Sequence, residues 1–147
     1  MVEEERVEAA LKTKFTIVKD YPPNFGVILQ VFPNSKKPGV IFTYGDKVYN
    51  PSNVSMSPAL LAHEAVHVRQ QSRDGETPEA WWLLYLNSPE FRYEQELEAH
   101  RVELAVYKKT NNRHFSRKYA KDIAVRLAGP LYGNGIKTKE AHNAITA

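Results

Sequence analysis

Cysteine is absent from the 147-residue chain. That excludes disulfide scaffolds, thiolate zinc fingers, iron–sulfur clusters and cysteine nucleophiles. Long apolar runs are missing as well. The bulkiest, Trp81–Leu86, falls far short of the roughly 20 residues a membrane helix needs, so no membrane partner is expected. Nor does the opening Met1-Val2-Glu3-Glu4-Glu5-Arg6 have the basic, then apolar, character of a signal peptide, and the expected location is the reducing cytoplasm. Acidic residues are also scarce in the C-terminal third. Residues 106–147 hold 2 acidic side chains against 9 basic, whereas residues 1–105 hold 15 acidic against 11 basic. The remaining composition, 42% hydrophobic and 25% charged, is that of an ordinary globular protein. A chain of this length buries roughly two thirds of its unfolded surface, and residues 1–147 are expected to form one domain without covalent staples.

Hydrophobic spacing changes midway. Residues 3–11 have helix formers, with Val7 and Leu11 four apart. Phe15–Val18, Gly26–Phe32 and Val40–Tyr44 read as strands from their β-branched and aromatic content, and Gly45-Asp46 predicts a tight hairpin into Lys47–Tyr49. After Asn50-Pro51 the period becomes helical. Ser57-Pro58, Thr77-Pro78 and Ser88-Pro89 each pair a capping hydroxyl with proline at the first helical position, opening helices to about Ser72, through Leu86, and to about Lys109. Asn111-Asn112 interrupts; a basic helix over 116–128 and a short one over 139–145 complete the chain. Antiparallel strands first and helices after predict the α+β class.

His63-Glu64-Ala65-Val66-His67 falls inside the first of these capped helices. Positions four apart share a helix face, so both imidazoles can reach one zinc ion, with Glu64 beside the open coordination position as the base. Chance arrangement of 5 histidines and 13 glutamates produces the pattern in about one per cent of shuffled chains, which favours the metal over an accidental pair. The plain alternative is an amphipathic helix with one histidine in the core and the other in solvent.

A third ligand is needed, and Gln70 and Arg73 stand where a metzincin would have glycine and histidine. Glu94-Gln95-Glu96-Leu97-Glu98-Ala99-His100 offers three glutamates on a later helix. Glu96 and His100 share a face with Glu103, and Glu94 and Glu98 share another; near Arg92 and Arg101 the latter pair reads as solvated charge. This segment resembles the second-helix motif of gluzincin metallopeptidases. The resemblance implies Glu96 as ligand, Glu98 being the runner-up, and Ala99 as the small residue that lets two helices approach. It also places His100 where the family has an acid that orients a ligand histidine, which is a departure.

Thr43-Tyr44-Gly45-Asp46-Lys47-Val48-Tyr49-Asn50, His67-Val68-Arg69-Gln70-Gln71, Pro89–Glu94 and Gly129–Asn134 extend the likeness. Over about residues 40–145 the chain resembles small, sequence-predicted zincin-like peptidases encoded by bacteriophages. What this implies is a single-domain zincin-like fold, a peptide or protein substrate, Zn2+ as cofactor, and a place in the host cytoplasm or the virion.

Zincins present a strand above the active helix to an extended substrate. Val40–Tyr44 and Lys47–Tyr49 are equal candidates here, and a plain structural hairpin is the alternative. His100, His114 or Tyr132 could stabilise an oxyanion, although Tyr132 also reads as an aromatic plug under a loop. Trp81 and Trp82 point to different helix faces, one toward core and one toward a pocket wall. The expected function is a zinc-dependent hydrolase of a peptide bond, with His63, His67 and Glu96 as ligands and Glu64 as base. The same machinery serves other amide bonds. Two further readings belong to other classes: a zincin-fold assembly or binding protein with a structural metal, and a nucleic-acid-binding protein. The latter would use Lys108, Lys109, Arg113, Arg117, Lys118, Lys121 and Arg126, with Arg113, Arg117 and Lys121 four apart in one stripe.

Overall fold

A computed structural model describes residues 2–129, 132 and 134–147. The capping signals open helices where they stand. Ser57 Oγ accepts from Leu60 N at 3.2 Å, Thr77 Oγ1 from Ala80 N at 3.2 Å and Ser88 Oγ from Phe91 N at 3.1 Å. These begin α3 (Pro58–Gln70), α4 (Pro78–Asn87) and α5 (Pro89–Thr110). Asn112 caps α6 (Arg113–Leu127) through Phe115 N at 3.0 Å, so the basic helix starts before Ser116. Before α3 come α1 (Glu3–Lys12), β1 (Thr16–Val18), α2 (Phe25–Val31), β2 (Phe42–Tyr44) and β3 (Lys47–Tyr49); α7 (Thr138–Thr146) follows α6. The class is mixed helix and sheet, compatible with α+β.

Two expectations about the first third are corrected. The segment 26–32 is not a strand: α2 occupies it. Its β-branched content signals extended backbone, but Phe25, Ile28 and Phe32 pack into an aromatic core while Val27 and Val31 stay exposed. That is helical spacing, and packing overrides propensity. Nor are the strands all antiparallel. The sheet order is β1-β3-β2, with β3 antiparallel to β2 and parallel to β1. The β2–β3 turn has Gly45 at φ +67°, a conformation that glycine adopts without strain. Lys47–Tyr49 is thereby central, and β2 is an edge.

Helix α3 is held on all sides. Ala59, Ala62, Ala65 and Val66 meet Ala99, Val102 and Val106 of α5, with Val7 and Ala10 of α1 beside them. Methyl-sized side chains at this contact let two backbones come close. A second core joins Leu104 of α5 to Ile123, Leu127 and Ile145. The third packs Trp81, Trp82, Tyr85 and Leu86 of α4 against Ile28 and Phe42. Both tryptophans are buried, and both also line a cleft above α3. Among the described residues no helix is long and apolar enough to cross a membrane.

Candidate metal centre

Because α3 is enclosed, its polar residues are buried: His63, Glu64, His67 and Gln70 are each at most 7% exposed. Buried polar groups need partners, and the partners determine what each can do. His63 Nε2 lies 3.1 Å from His67 Nε2, and Glu96 Oε1 lies 3.1 Å from the first and 2.9 Å from the second. Three ligand atoms from α3 and α5 thus converge on one point. For tetrahedral zinc with bonds of about 2.0–2.1 Å, ligand atoms stand about 3.3 Å apart. The observed triangle matches that to a few tenths of an ångström.

The other ring nitrogens settle the tautomers. Gln70 Nε2 donates to Gln95 O at 3.0 Å and to Glu98 Oε1 at 2.9 Å, so its amide oxygen faces His67 Nδ1 at 2.8 Å and can only accept. His63 Nδ1 faces a carboxylate, Glu103 Oε1, at 2.8 Å. Each imidazole therefore carries a proton on Nδ1. In the neutral rings the Nε2 lone pairs point at one another and at an anionic oxygen. A cation would relieve the repulsion among these lone pairs, and two imidazoles with a carboxylate could hold a metal ion.

The charge balance of the ion-free protein reflects the same demand. Burial pulls His63 down, but hydrogen bonds to Glu103 and Glu96 prevail and hold it well above the usual histidine range. Burial likewise lowers His67, but the charge of Glu96 and the hydrogen bond to it together outweigh burial and raise it. Burial pushes Glu96 up, yet the two imidazoles hold its carboxyl well below the usual range.

Around the triangle, Tyr85 donates to Glu96 Oε2 at 2.6 Å, so each oxygen of that carboxylate is engaged. Burial first, then the Glu96 charge, pushes the Tyr85 phenol well up, keeping it a donor. Glu64 Oε2 accepts from Thr43 Oγ1 of β2 at 2.7 Å. Both glutamates and both histidines line a cleft of about 260 Å³.

Four residues that the sequence patterns did not assign complete this arrangement. Glu103 is the carboxylate that accepts from His63 Nδ1. It lies seven positions beyond Glu96, on the same helix face, which was the available signal. Its Oε1 also accepts from His100 Nδ1 at 2.8 Å, and its Oε2 from the Tyr119 hydroxyl. Burial alone would raise the Glu103 carboxyl, but its hydrogen bonds to His100 and His63 hold it far down. Gln70, Thr43 and Tyr85 had no signal of their own.

Other sequence-stated candidates separate cleanly. Glu98 makes a two-pronged bond to Arg73, at 2.7 and 2.8 Å, and is not in the triangle. His100 lines the cleft, and His63, Glu96 and His100 also offer ligand atoms within 4.8 Å of one another. Burial and the His63 charge lower His100, so it stays neutral. Tyr132 is buried in the second core and lines the cleft too, so the plug and the site wall are one residue; burial and the Glu96 charge raise its phenol. Its neighbours Pro130, Leu131 and Gly133 lie outside the described residues. His114 is exposed on α6 against Phe115 and takes no part in the cleft.

At the edge strand, the Thr43 carbonyl is already taken: Gln71 Nε2 donates to it at 2.8 Å and Trp82 Nε1 at 2.9 Å. A substrate strand cannot use that group, and Gly39 and Ile41 are the remaining cleft-lining residues beside β2.

No protein-family model, curated protein or solved structure matches this chain.

Proposed function

We propose that this protein is a zinc-dependent hydrolase of zincin type that cleaves a peptide bond. The observation that carries the reading is the convergence of His63 Nε2, His67 Nε2 and Glu96 Oε1 within 3.1 Å, with no protein proton between them in the neutral rings. These three residues would hold the ion. Bound zinc acts as a Lewis acid that lowers the pKa of water toward about 7. Glu64 performs the proton transfers. Thr43 occupies Oε2, leaving Oε1 to take a proton from water in the cleft and pass it to the departing amine nitrogen. Tyr132, kept protonated, is the cleft's candidate donor to a developing oxyanion; neutral His100 already gives its one N–H to Glu103. The resemblance to small bacteriophage peptidases supports the same activity.

One observation favours a second reading, a closed structural site: His100 can join His63 and Glu96 as a ligand. Elemental analysis of the wild type and of His63→Ala establishes the metal, with one zinc per chain expected only in the former. Incubation with a mixed peptide library, read by mass spectrometry, then separates the two readings. Cleavage by the wild type and none by zinc-loaded Glu64→Gln supports the enzyme. Zinc in both proteins with cleavage by neither supports the structural site.

A further inference from the structure

A second concavity, about 430 Å³, opens between α5, α6 and α7 in the basic part of the chain. Lys108 of α5, Arg113, Ser116 and Arg117 of α6, and His142 of α7 line it, and no carboxylate side chain does. Among the described residues, Lys108, Arg113 and Arg117 have no ion-pair partner, in contrast to Lys118, which meets Asp122 at 3.4 Å. Three uncompensated cations around one hollow repel each other, and an anion relieves that repulsion.

Ser116 points to the same ligand independently. It is 6% exposed, and its Oγ has no hydrogen-bond partner. Its backbone N–H makes the ordinary helical bond to Asn112 O, and its hydroxyl does not share that carbonyl as a mid-helix serine can. A buried hydroxyl that lines a cationic hollow is a donor awaiting an acceptor. It stands in the first turn of α6, a 15-residue helix, where the aligned backbone dipoles also favour negative charge.

We propose that this concavity is a phosphate-binding site. Arg113 and Arg117 would grip the phosphoryl oxygens, Ser116 Oγ would donate to one of them, and Lys108 would neutralise the remaining charge. The lining has no phenyl, phenol or indole ring; three cations and two hydroxyls dominate it, groups that suit phosphoryl oxygens. Recognition is therefore of the phosphate, whether it belongs to a nucleic-acid backbone or to a small phosphorylated compound. The site is separate from the metal cleft and does not depend on the hydrolase reading.

Calorimetric titration with inorganic phosphate at constant ionic strength tests the site. Binding is expected, weakened at least about tenfold in Arg113→Gln/Arg117→Gln and severalfold in Ser116→Ala; circular dichroism and the melting temperature serve as checks on folding. No phosphate-specific heat, or binding equal in the double variant, overturns the proposal. Fluorescence anisotropy with a labelled 20-nucleotide strand identifies the source. Binding that phosphate competes away, and that falls with salt at a log–log slope of about −2, supports a nucleic-acid backbone. Phosphate binding without oligonucleotide binding keeps the site and assigns it to a small phosphorylated compound. Oligonucleotide binding that is indifferent both to phosphate and to the double variant places nucleic acid elsewhere and overturns this site as its docking point.

Discussion

Glu103 Oε1 lies 2.8 Å from His63 Nδ1, although forty positions separate the two residues. This single contact decides which nitrogen of His63 faces the cluster. It also ties α3 to α5 through a residue one turn beyond His100.

Glu103→Gln tests that relationship. The amide keeps the shape and can still accept through its one carbonyl oxygen, but it removes the charge that makes the imidazole a strong donor to metal. Zinc affinity, measured by chelator competition, should fall about 10–100-fold, with one-to-one stoichiometry retained at saturating zinc. Unchanged affinity would mean that Glu103 contributes packing alone.

Metal uptake should release protons. His63 and His67 are both held above the usual histidine range in the ion-free protein, and protons and metal compete for the same lone pairs. Zinc affinity should therefore rise with pH through neutrality. Titration at pH 7 in two buffers of different ionisation enthalpy should show net proton release; its absence would contradict the arrangement.

The ion-free protein should have the opposite pH trend. A raised folded pKa adds stability that is complete below the unfolded value of about 6.5 and vanishes as pH rises through the folded value. Chelator-treated protein should thus melt at a lower temperature at pH 9 than at pH 6.5, and added zinc should restore the loss at pH 9. Equal melting temperatures of the chelated protein at the two pH values would argue against charged imidazoles in it.

Glu98 and Arg73 carry an acid-side effect. Burial raises the Glu98 carboxyl, but hydrogen bonds from Arg73 and Gln70 hold it below its ordinary value. Its contribution is present above the unfolded pKa of about 4.3 and is lost as pH falls below that. Arg73 is 45% exposed, so solvent screening limits the pair to about 1 kcal/mol or less. In Glu98→Gln, denaturant unfolding at pH 7 and pH 3.5 should show a smaller stability difference than in the wild type.

Gln71→Leu should separate folding from metal binding. The Gln71 amide joins α3 to the β2–β3 hairpin, donating to Thr43 O at 2.8 Å and accepting from Gly45 N at 2.7 Å. Leaving these groups without it should cost about 2 kcal/mol in urea unfolding, while zinc stoichiometry stays at one. Lost zinc with unchanged stability would reverse the assignment.

The sequence by itself determined what local rules govern. A capping hydroxyl followed by proline opens a helix wherever it stands, because the cap satisfies orphan N–H groups and proline gives up only a hydrogen bond the first turn lacks. The four-residue spacing of His63 and His67 placed two imidazoles on one face for the same local reason. Gly45-Asp46 made the hairpin because its turn is two residues long. Only the tertiary structure decided the rest. Whether 25–31 became helix or strand depended on an aromatic core assembled from distant residues. Which of Glu96 and Glu98 met the histidines depended on the close contact of Ala62 and Ala65 with Ala99. Glu103, Thr43 and Gln70 received their parts because burial obliges each polar group of α3 to find a partner, and the available partners lay on β2, on α5 or one turn along α3. Capping and periodicity act over four residues; desolvation acts on whatever the fold brings near.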